Sequence, residues 1–508
     1  MSKKNLILIG FIILKFAIQI TLISPEYDLQ RDEYLHIDQA NHLAWGYLSV
    51  PPATSWISLI IKLLGNSVFW IKFFPALFGT LTMIVVWKAI ETLNGNLFAL
   101  VLGATCILFS AILRINTLYQ PNSLDILSWT AFYFTILIYF KTAKPKWLYI
   151  GAIVFAVGFL NKYNIGFLLL GMFPAILLTR DRSIFGKQAL YIALFIGLFI
   201  VSPNLLWQYN NNFPVIHHLK ELADTQLVNV NRLDFLKSQL LFFMGSLFVI
   251  IAALYGLLFY KPFERYTSFF WTFVFTLMVF VYFKAKDYYA IGLYPIYIAF
   301  GSVVIAHLCK EGWKRYLQPV MVILPIVVFI PFYFIGFPNK SPEYIIQHSK
   351  PYKDFGLLRW EDGKDHALPQ DFADMIGWKE LATLVDSICA TLPNPDQTLV
   401  LCDNYGQAGA INYYTTNKKI VASSFNADYV NWFNYDKNIV DVVLVKEAND
   451  EDKERRTEVP LFDTVYLAGS RINTYAREEE ILIFVLRGAR VDVNKRVKEE
   501  ADRKRKFR

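Results

Sequence analysis

Residues 317–342 read LQPVMVILPIVVFIPFYFIGFPNKSP. From Leu317 to Gly336 there is no Asp, Glu, Lys or Arg, and an apolar run of roughly 20 residues is what a helix needs to cross a ~30 Å hydrocarbon layer. After Phe337 the pattern stops. Pro338 and Pro342 break it, charged residues become frequent, and the apolar runs shorten to strand length. This one stretch is read as the last crossing of a membrane and the start of a water-facing domain.

Working back from it, apolar segments of roughly 18 to 22 residues recur as far as Leu6. The 508-residue chain is 55% hydrophobic and 18% charged, more apolar surface than a water-soluble core of this length takes up. The segments number about eleven: 6–24, 67–87, 97–113, 124–140, 147–160, 164–179, 189–207, 239–260, 267–283, 288–308 and 317–336. The first follows Lys3 and Lys4 as a secretory signal would, but it is too long and no small-residue cleavage site follows, so it is read as an uncleaved span.

The loops alternate in kind, which orients the bundle. One set is short and basic: Lys3 and Lys4; Lys88; Lys141, Lys144 and Lys146; Arg180, Arg182 and Lys187; Lys261 and Arg265; Lys310, Lys314 and Arg315. The other set is longer and rich in Asp, Glu, Asn, Tyr and Pro. The net charge of +8 thus goes first to orientation, and nucleic acid is not an expected partner. An inside N-terminus and an odd number of spans put residues 337–508 outside, in a periplasm-like space if the source is bacterial. The expected domains are a transmembrane part, 1–336, with a first outer loop at 24–66; an extracytoplasmic α/β part, 337–490; and a charged, disordered tail, 491–508.

Within the first outer loop, 32–45 suits a helix lying along the membrane interface. The C-terminal part alternates: helix 377–392, strand 398–402, helix 405–414, strands 419–422, 439–445, 464–467 and 480–486. No C-x-x-C or other metal-ligand spacing occurs, and a Cys389–Cys402 bridge stays open if that domain lies outside. Gly406 and Gly409 follow a strand and open a helix; close helix packing accounts for them better than a nucleotide-binding turn, whose third glycine is missing. His217 and His218 read as ordinary loop histidines.

The ionisable residues of the membrane part sort to one face. Asp32, Glu33, Asp125, Lys162, Lys284, Lys286 and Asp287 all fall at outer ends of spans or in outer loops. A carboxylate there can take the proton of an acceptor hydroxyl as its oxygen attacks an anomeric carbon. Ammonium groups can hold a lipid phosphate and the charge that grows on it. Each group has a plainer reading as well: a dipole-compatible helix start for Asp32 and Glu33, a first-turn acid for Asp125, snorkelling lysines beside a tyrosine belt for Lys162, Lys284 and Lys286. Lys15, in mid-span, is expected to face the bundle interior or to snorkel.

Taken in order, Asp32-Glu33, Gly46-Tyr47, Pro51-Pro52, Gln120-Pro121 with Asp125, Lys162-Tyr163, Ser202-Pro203-Asn204 with Trp207, Lys286-Asp287-Tyr288-Tyr289 with Leu293-Tyr294-Pro295, and Asn404 to Ala410 form a pattern. It resembles the dolichyl-phosphate-mannose protein mannosyltransferase-like family of the GT-C superfamily, glycosyltransferase family 39 and its relatives, including the bacterial aminoarabinose transferases. The resemblance implies a GT-C type all-α membrane bundle with a C-terminal α/β domain. It implies an inverting transferase of the inner membrane that moves a sugar from a polyprenyl-phosphate donor to a protein or glycolipid acceptor on the outer face. Asp32 would be the base, with Glu33 and Asp125 as supporting acids; Lys284, Lys286 and Lys162 would engage the donor phosphate; Tyr34, Asp287, Tyr288 and Tyr289 would line the substrate. Relatives differ over metals, which leaves a divalent cation open, and the residues show no cation cage. The alternative is a transporter or flippase for a polyprenyl-linked glycan, whose substrate site would sit at midplane on broken helices.

Overall fold

The computed structural model describes residues 2–417 and 419–506. Up to Ile335 the chain is a bundle of helices. Among the described residues, five are long and apolar enough to cross a membrane: Lys3–Thr21, Val68–Thr92, Asn122–Thr142, Gln188–Asn210 and Gly312–Ile335. Three bent pairs, Tyr163–Leu177 with Arg180–Gly186, Arg232–Phe242 with Met244–Phe259, and Asp287–Leu293 with Pro295–Leu308, raise the number to 8. The other segments expected to span are the helices Leu97–Leu108, Lys146–Asn161 and Thr267–Tyr282, of 12, 16 and 16 residues. They fall short of the roughly 20 residues of a straight crossing.

Lipid offers no hydrophobic drive for helices to associate, so close approach depends on small residues. Gly301, on the helix Pro295–Leu308, lies so near the Val249 carbonyl that a Cβ there would overlap it. Gly301→Ala is therefore expected to force two helices apart and cost about 1–3 kcal/mol, read as an earlier thermal transition of the detergent-solubilised protein; an unchanged transition would contradict the packing. One polar cluster inside the bundle is satisfied from within. Lys15 Nζ donates to Gln19 Oε1 and Asn116 Oδ1, both at 2.9 Å, while Gln19 Nε2 donates to the Asn116 carbonyl at 2.9 Å. Lys15 thus faces inward.

Beyond the bundle, a five-stranded sheet has the order β2-β1-β3-β5-β4, with β1 Thr398–Cys402, β2 Ala422–Ser424, β3 Asp441–Glu447, β4 Phe462–Ile472 and β5 Glu480–Ala489. β1 runs parallel to β2 and β3, and β5 antiparallel to β3 and β4. One sheet face, with Val400, Val443, Ile483 and Val485, packs under the helices Trp378–Ala390 and Tyr405–Tyr414. The other, with Val442, Leu444, Phe484 and Leu486, is covered by Val493 and Val497. These belong to the helix Val493–Lys506, so the tail expected to be disordered is ordered through residue 506. Val493, Val497 and Ala501 recur every fourth residue and make an apolar stripe among the charges, with Ala501 buried. Cys389 and Cys402 are buried free thiols, not a bridge.

The helix of the first loop, Arg31–Asp38, is embedded in protein: Tyr34, Leu35 and Ile37 are buried in the same core as Trp378, Ala408 and Ile411. A Cβ on Gly409 would come within 2.8 Å of Tyr34 Cβ and of Tyr429 Oη, and one on Gly406 within 2.7 Å of Arg31 Cγ. The two glycines let Tyr405–Tyr414 close onto Arg31–Asp38, the helix-packing role read for them. The loop is thereby clamped between bundle and sheet.

Candidate active site

The clamp puts Asp32 in the first turn of its helix. Gln30 caps that turn, its Oε1 accepting from the Asp32 N–H at 2.9 Å, while the Gln30 N–H donates to Glu33 Oε2 at 2.8 Å. Two side chains from distant parts of the chain then hold the Asp32 carboxylate. Tyr405 donates its hydroxyl to Oδ1 at 2.6 Å across 373 residues, and Gln120 Nε2 donates to Oδ2 at 3.2 Å. Burial and the neighbouring Asp32 charge push the Tyr405 phenol well above its ordinary range, so it remains a donor. The Arg31 guanidinium stacks 4.5 Å over the Tyr405 ring. Burial works against its charge, yet Tyr405, Glu478, Asp374 and Asp32 around it raise its pKa and keep it protonated.

From Gln120 a line of hydrogen bonds runs to the cations. Asn122 Nδ2 donates to Gln120 Oε1 at 2.9 Å, and Lys162 Nζ donates to Asn122 Oδ1 at 2.7 Å. The Lys162 ammonium lies 4.1 Å from the Tyr289 ring centre and 5.1 Å from that of Tyr288. Asp125, one turn below, is buried and satisfied: Trp129 Nε1 donates to it at 3.1 Å and Asn164 Nδ2 at 2.8 Å. Asn164 Nδ2 also donates to the Tyr289 carbonyl at 3.0 Å. Asp125 therefore braces the segment that carries the tyrosines.

Lys286 completes the set. Its Nζ meets Glu361 Oε1 at 2.6 Å, and Gln370 Nε2 holds the other carboxylate oxygen at 3.2 Å. Burial opposes the charge on both partners, but each holds the other ionised: the Lys286 pKa is raised by Glu361 and also by Tyr289 and Asp32, and that of Glu361 is lowered by Lys286. A further, partly buried cation, Arg114, pairs with Asp371 at 3.1 Å.

Asp32, Asp125, Lys162, Lys286, Tyr288 and Tyr289 thus meet at one end of the bundle. Other expected site residues do not. Glu33 is not free to serve as a second acid: Oε1 accepts from Lys72 Nζ and the Tyr119 N–H, and Oε2 from Lys72 Nζ and the Gln30 N–H, at 2.7–2.8 Å. Successive helical positions lie about 100° apart, so with Asp32 facing the site, Glu33 turns into the bundle. Tyr34 turns into the sheet's core and packs 6.1 Å from Trp378, 5.8 Å from Tyr413 and 5.9 Å from Tyr414, lining no open site. Lys284 stands in a turn at φ 51°, and the ion pair belongs to Lys286. Asp287 closes its own turn, Oδ1 taking the Tyr288 N–H at 2.8 Å and its carbonyl taking Gln239 Nε2 at 3.0 Å. The sequence reading missed Gln120 and Asn122 as relay groups, Glu361 as the partner of Lys286, and Tyr405 as the partner of Asp32. Tyr405 sat in a quoted motif, but nothing local in that motif points to a carboxylate so far away in the chain.

Residues 49–207 match the family model described as dolichyl-phosphate-mannose-protein mannosyltransferase. Gln120, Asn122, Asp125 and Lys162 lie in that range. Over 207 residues the chain is 24% identical to lipid A galacturonosyltransferase RgtD of Rhizobium johnstonii; the match covers 38% of this chain and spans 43% of that protein's length. Among solved structures, ArnT from Cupriavidus metallidurans bound to undecaprenyl phosphate superposes with a TM-score of 0.62 at 13% identity, covering 95% of this chain and 98% of that one. The apo state of the same protein gives 0.59 at 13% identity, with the same coverage. Archaeal oligosaccharyltransferase AglB from Archaeoglobus fulgidus, in complex with an inhibitory peptide and a dolichol-phosphate, gives 0.50 at 10% identity, covering 87% of this chain and 70% of that one. The solved structures show the fold, an ArnT-like helical bundle with a C-terminal sheet, and the family match over residues 49–207 agrees with the resemblance seen in the sequence.

Proposed function

We propose that this chain is an inverting glycosyltransferase that moves a sugar from a polyprenyl-phosphate donor to a hydroxyl of a protein or glycolipid acceptor at the outer face of the membrane. One observation carries the reading: a carboxylate held by two neutral donors, Tyr405 and Gln120, shares a membrane-edge cluster with the ammonium groups of Lys162 and Lys286. Neutral donors orient Asp32 without cancelling its charge as a salt bridge would. It can therefore act as a base.

In the step proposed, the acceptor oxygen forms a bond to the anomeric carbon while its proton passes to Asp32. The bond from that carbon to the phosphate oxygen breaks, and its electrons stay on the departing polyprenyl phosphate. A phosphate is a good leaving group, so the second carboxylic acid of many glycosidases is not needed. That suits a site in which Glu33 is already saturated. Lys162 and Lys286 stabilise the growing negative charge. Among the described residues, no group of three or more His, Cys, Asp or Glu could hold a metal ion.

Glu361 occupies Lys286 in this structure, so the donor phosphate has to compete with a carboxylate. Lys286→Gln is expected to lower kcat/KM for the donor by about 10²-fold, whereas Glu361→Gln should lower the KM for the donor. Steady-state kinetics with varied lipid-linked sugar distinguish the two, and an unaffected kcat/KM in Lys286→Gln would remove that lysine from the scheme. The reading as a whole is tested by mass spectrometry of extracted glycolipids and surface material from cells with and without the chain. Identical profiles would count against transfer.

A further inference from the structure

At the other end of the bundle, a groove of about 1120 Å³ opens between the helices Leu97–Leu108 and Gln318–Ile335. Leu97, Phe98, Val101, Val322 and Ile323 line its length. Its mouth is different in kind, being formed by the segment from Lys310 to Tyr316, including Arg315. The helix Leu97–Leu108 leads on to Arg114, which pairs with Asp371, so the mouth lies at the end of the bundle opposite Asp32. It belongs to the set of short basic loops.

We infer that this groove binds an anionic phospholipid of the leaflet on the basic face, with one acyl chain along the apolar wall and the headgroup phosphate at the mouth. Charge complementarity favours that occupant. Lys310 is paired only loosely, 3.7 Å from Glu311, and its side chain is 71% exposed; Arg315 is exposed beside it. The two helices both begin at the mouth, with the Leu97 end capped by Asn96, and their positive ends add to the attraction for a phosphate. The loop is pinned, since Gln318 Nε2 donates to the Cys309 carbonyl at 2.8 Å. The exposed rings of Trp313 and Tyr316 beside it suit the headgroup layer.

The test is native mass spectrometry of the full chain in non-ionic detergent, titrated with phosphatidylglycerol or phosphatidylcholine of matched acyl chains. The wild type is expected to retain phosphatidylglycerol in preference. Lys310→Gln with Arg315→Gln should weaken that binding by about tenfold or more, and Ile323→Trp, which fills the groove, should weaken it with both charges intact. Lys144→Gln with Lys146→Gln, exposed charges of the same basic face outside the groove, should leave it unchanged. Equal retention of the two lipids would overturn the inference, as would binding unaltered by either groove variant or lowered as much by the Lys144 and Lys146 changes. A lipid-free dimer in the spectra would assign the groove to a second copy and overturn it equally.

Discussion

Asp32→Asn is expected to leave a folded, membrane-inserted chain whose sugar transfer has fallen by about 10²- to 10⁴-fold, the usual contribution of a positioned base. The substitution is nearly isosteric. Gln120 can still donate to an amide oxygen, and the helix cap at Gln30 uses the Asp32 main chain rather than its side chain. What is lost is the capacity to take a proton. Tyr405→Phe should fall in the same direction by less, because it frees one carboxylate oxygen while leaving the base in place. The measurement is single-turnover transfer from a radiolabelled lipid-linked sugar, beside a size-exclusion profile and melting curve that match the wild type. A well-folded Asp32→Asn protein with wild-type transfer would refute the role of Asp32 and the proposed function with it.

Lys72→Met should be the most damaging single change to stability, at about 3–5 kcal/mol, because it strands the Glu33 carboxylate in the protein interior. Glu33 is fully buried, with Lys72 as its ion-pair partner and the Gln30 and Tyr119 N–H groups as its other donors. Deleting the cation leaves a charge without its counter-charge. Lys72→Met combined with Glu33→Gln should recover part of the loss, since the amide carries no charge to strand, although its single oxygen can accept only one of the two N–H groups. Thermal unfolding in detergent gives the comparison. A double variant no more stable than Lys72→Met would show that the pair does not work as a unit, and Glu33 would lose its role of locking the helix that presents Asp32.

Much of the architecture was legible because lipid imposes a simple condition on sequence. Runs such as Leu317–Gly336 announce themselves by what they omit, and each expected span does carry helix. Within the sheet region, Thr398–Cys402 and Tyr405–Tyr414 were read to the residue, for the strand is bounded by turn formers and Asn404 caps the helix, its Oδ1 taking the Gly406 N–H at 2.9 Å. Length was harder to judge than identity. Leu97–Leu108 ends at Phe109 although the apolar run continues to Leu113, because composition does not show where a helix stops when it has protein beside it rather than lipid. The tail was misread for a related reason: Val493 and Val497 are outvoted by charge in any local average, yet they suffice when a sheet face needs covering.

The sequence by itself determined the solvent of each segment, helices for lipid and strands for water, and the gathering of acids and lysines at one end of the bundle. These are properties of runs, set by transfer free energies that add along the chain. Only the tertiary structure decided which of two adjacent acids faces the site. Asp32 looks outward to Tyr405 and Gln120 while Glu33 looks inward to Lys72, a division settled by where helix Arg31–Asp38 is clamped. Partners that act over a few ångströms can be hundreds of residues apart, and no local pattern encodes that distance.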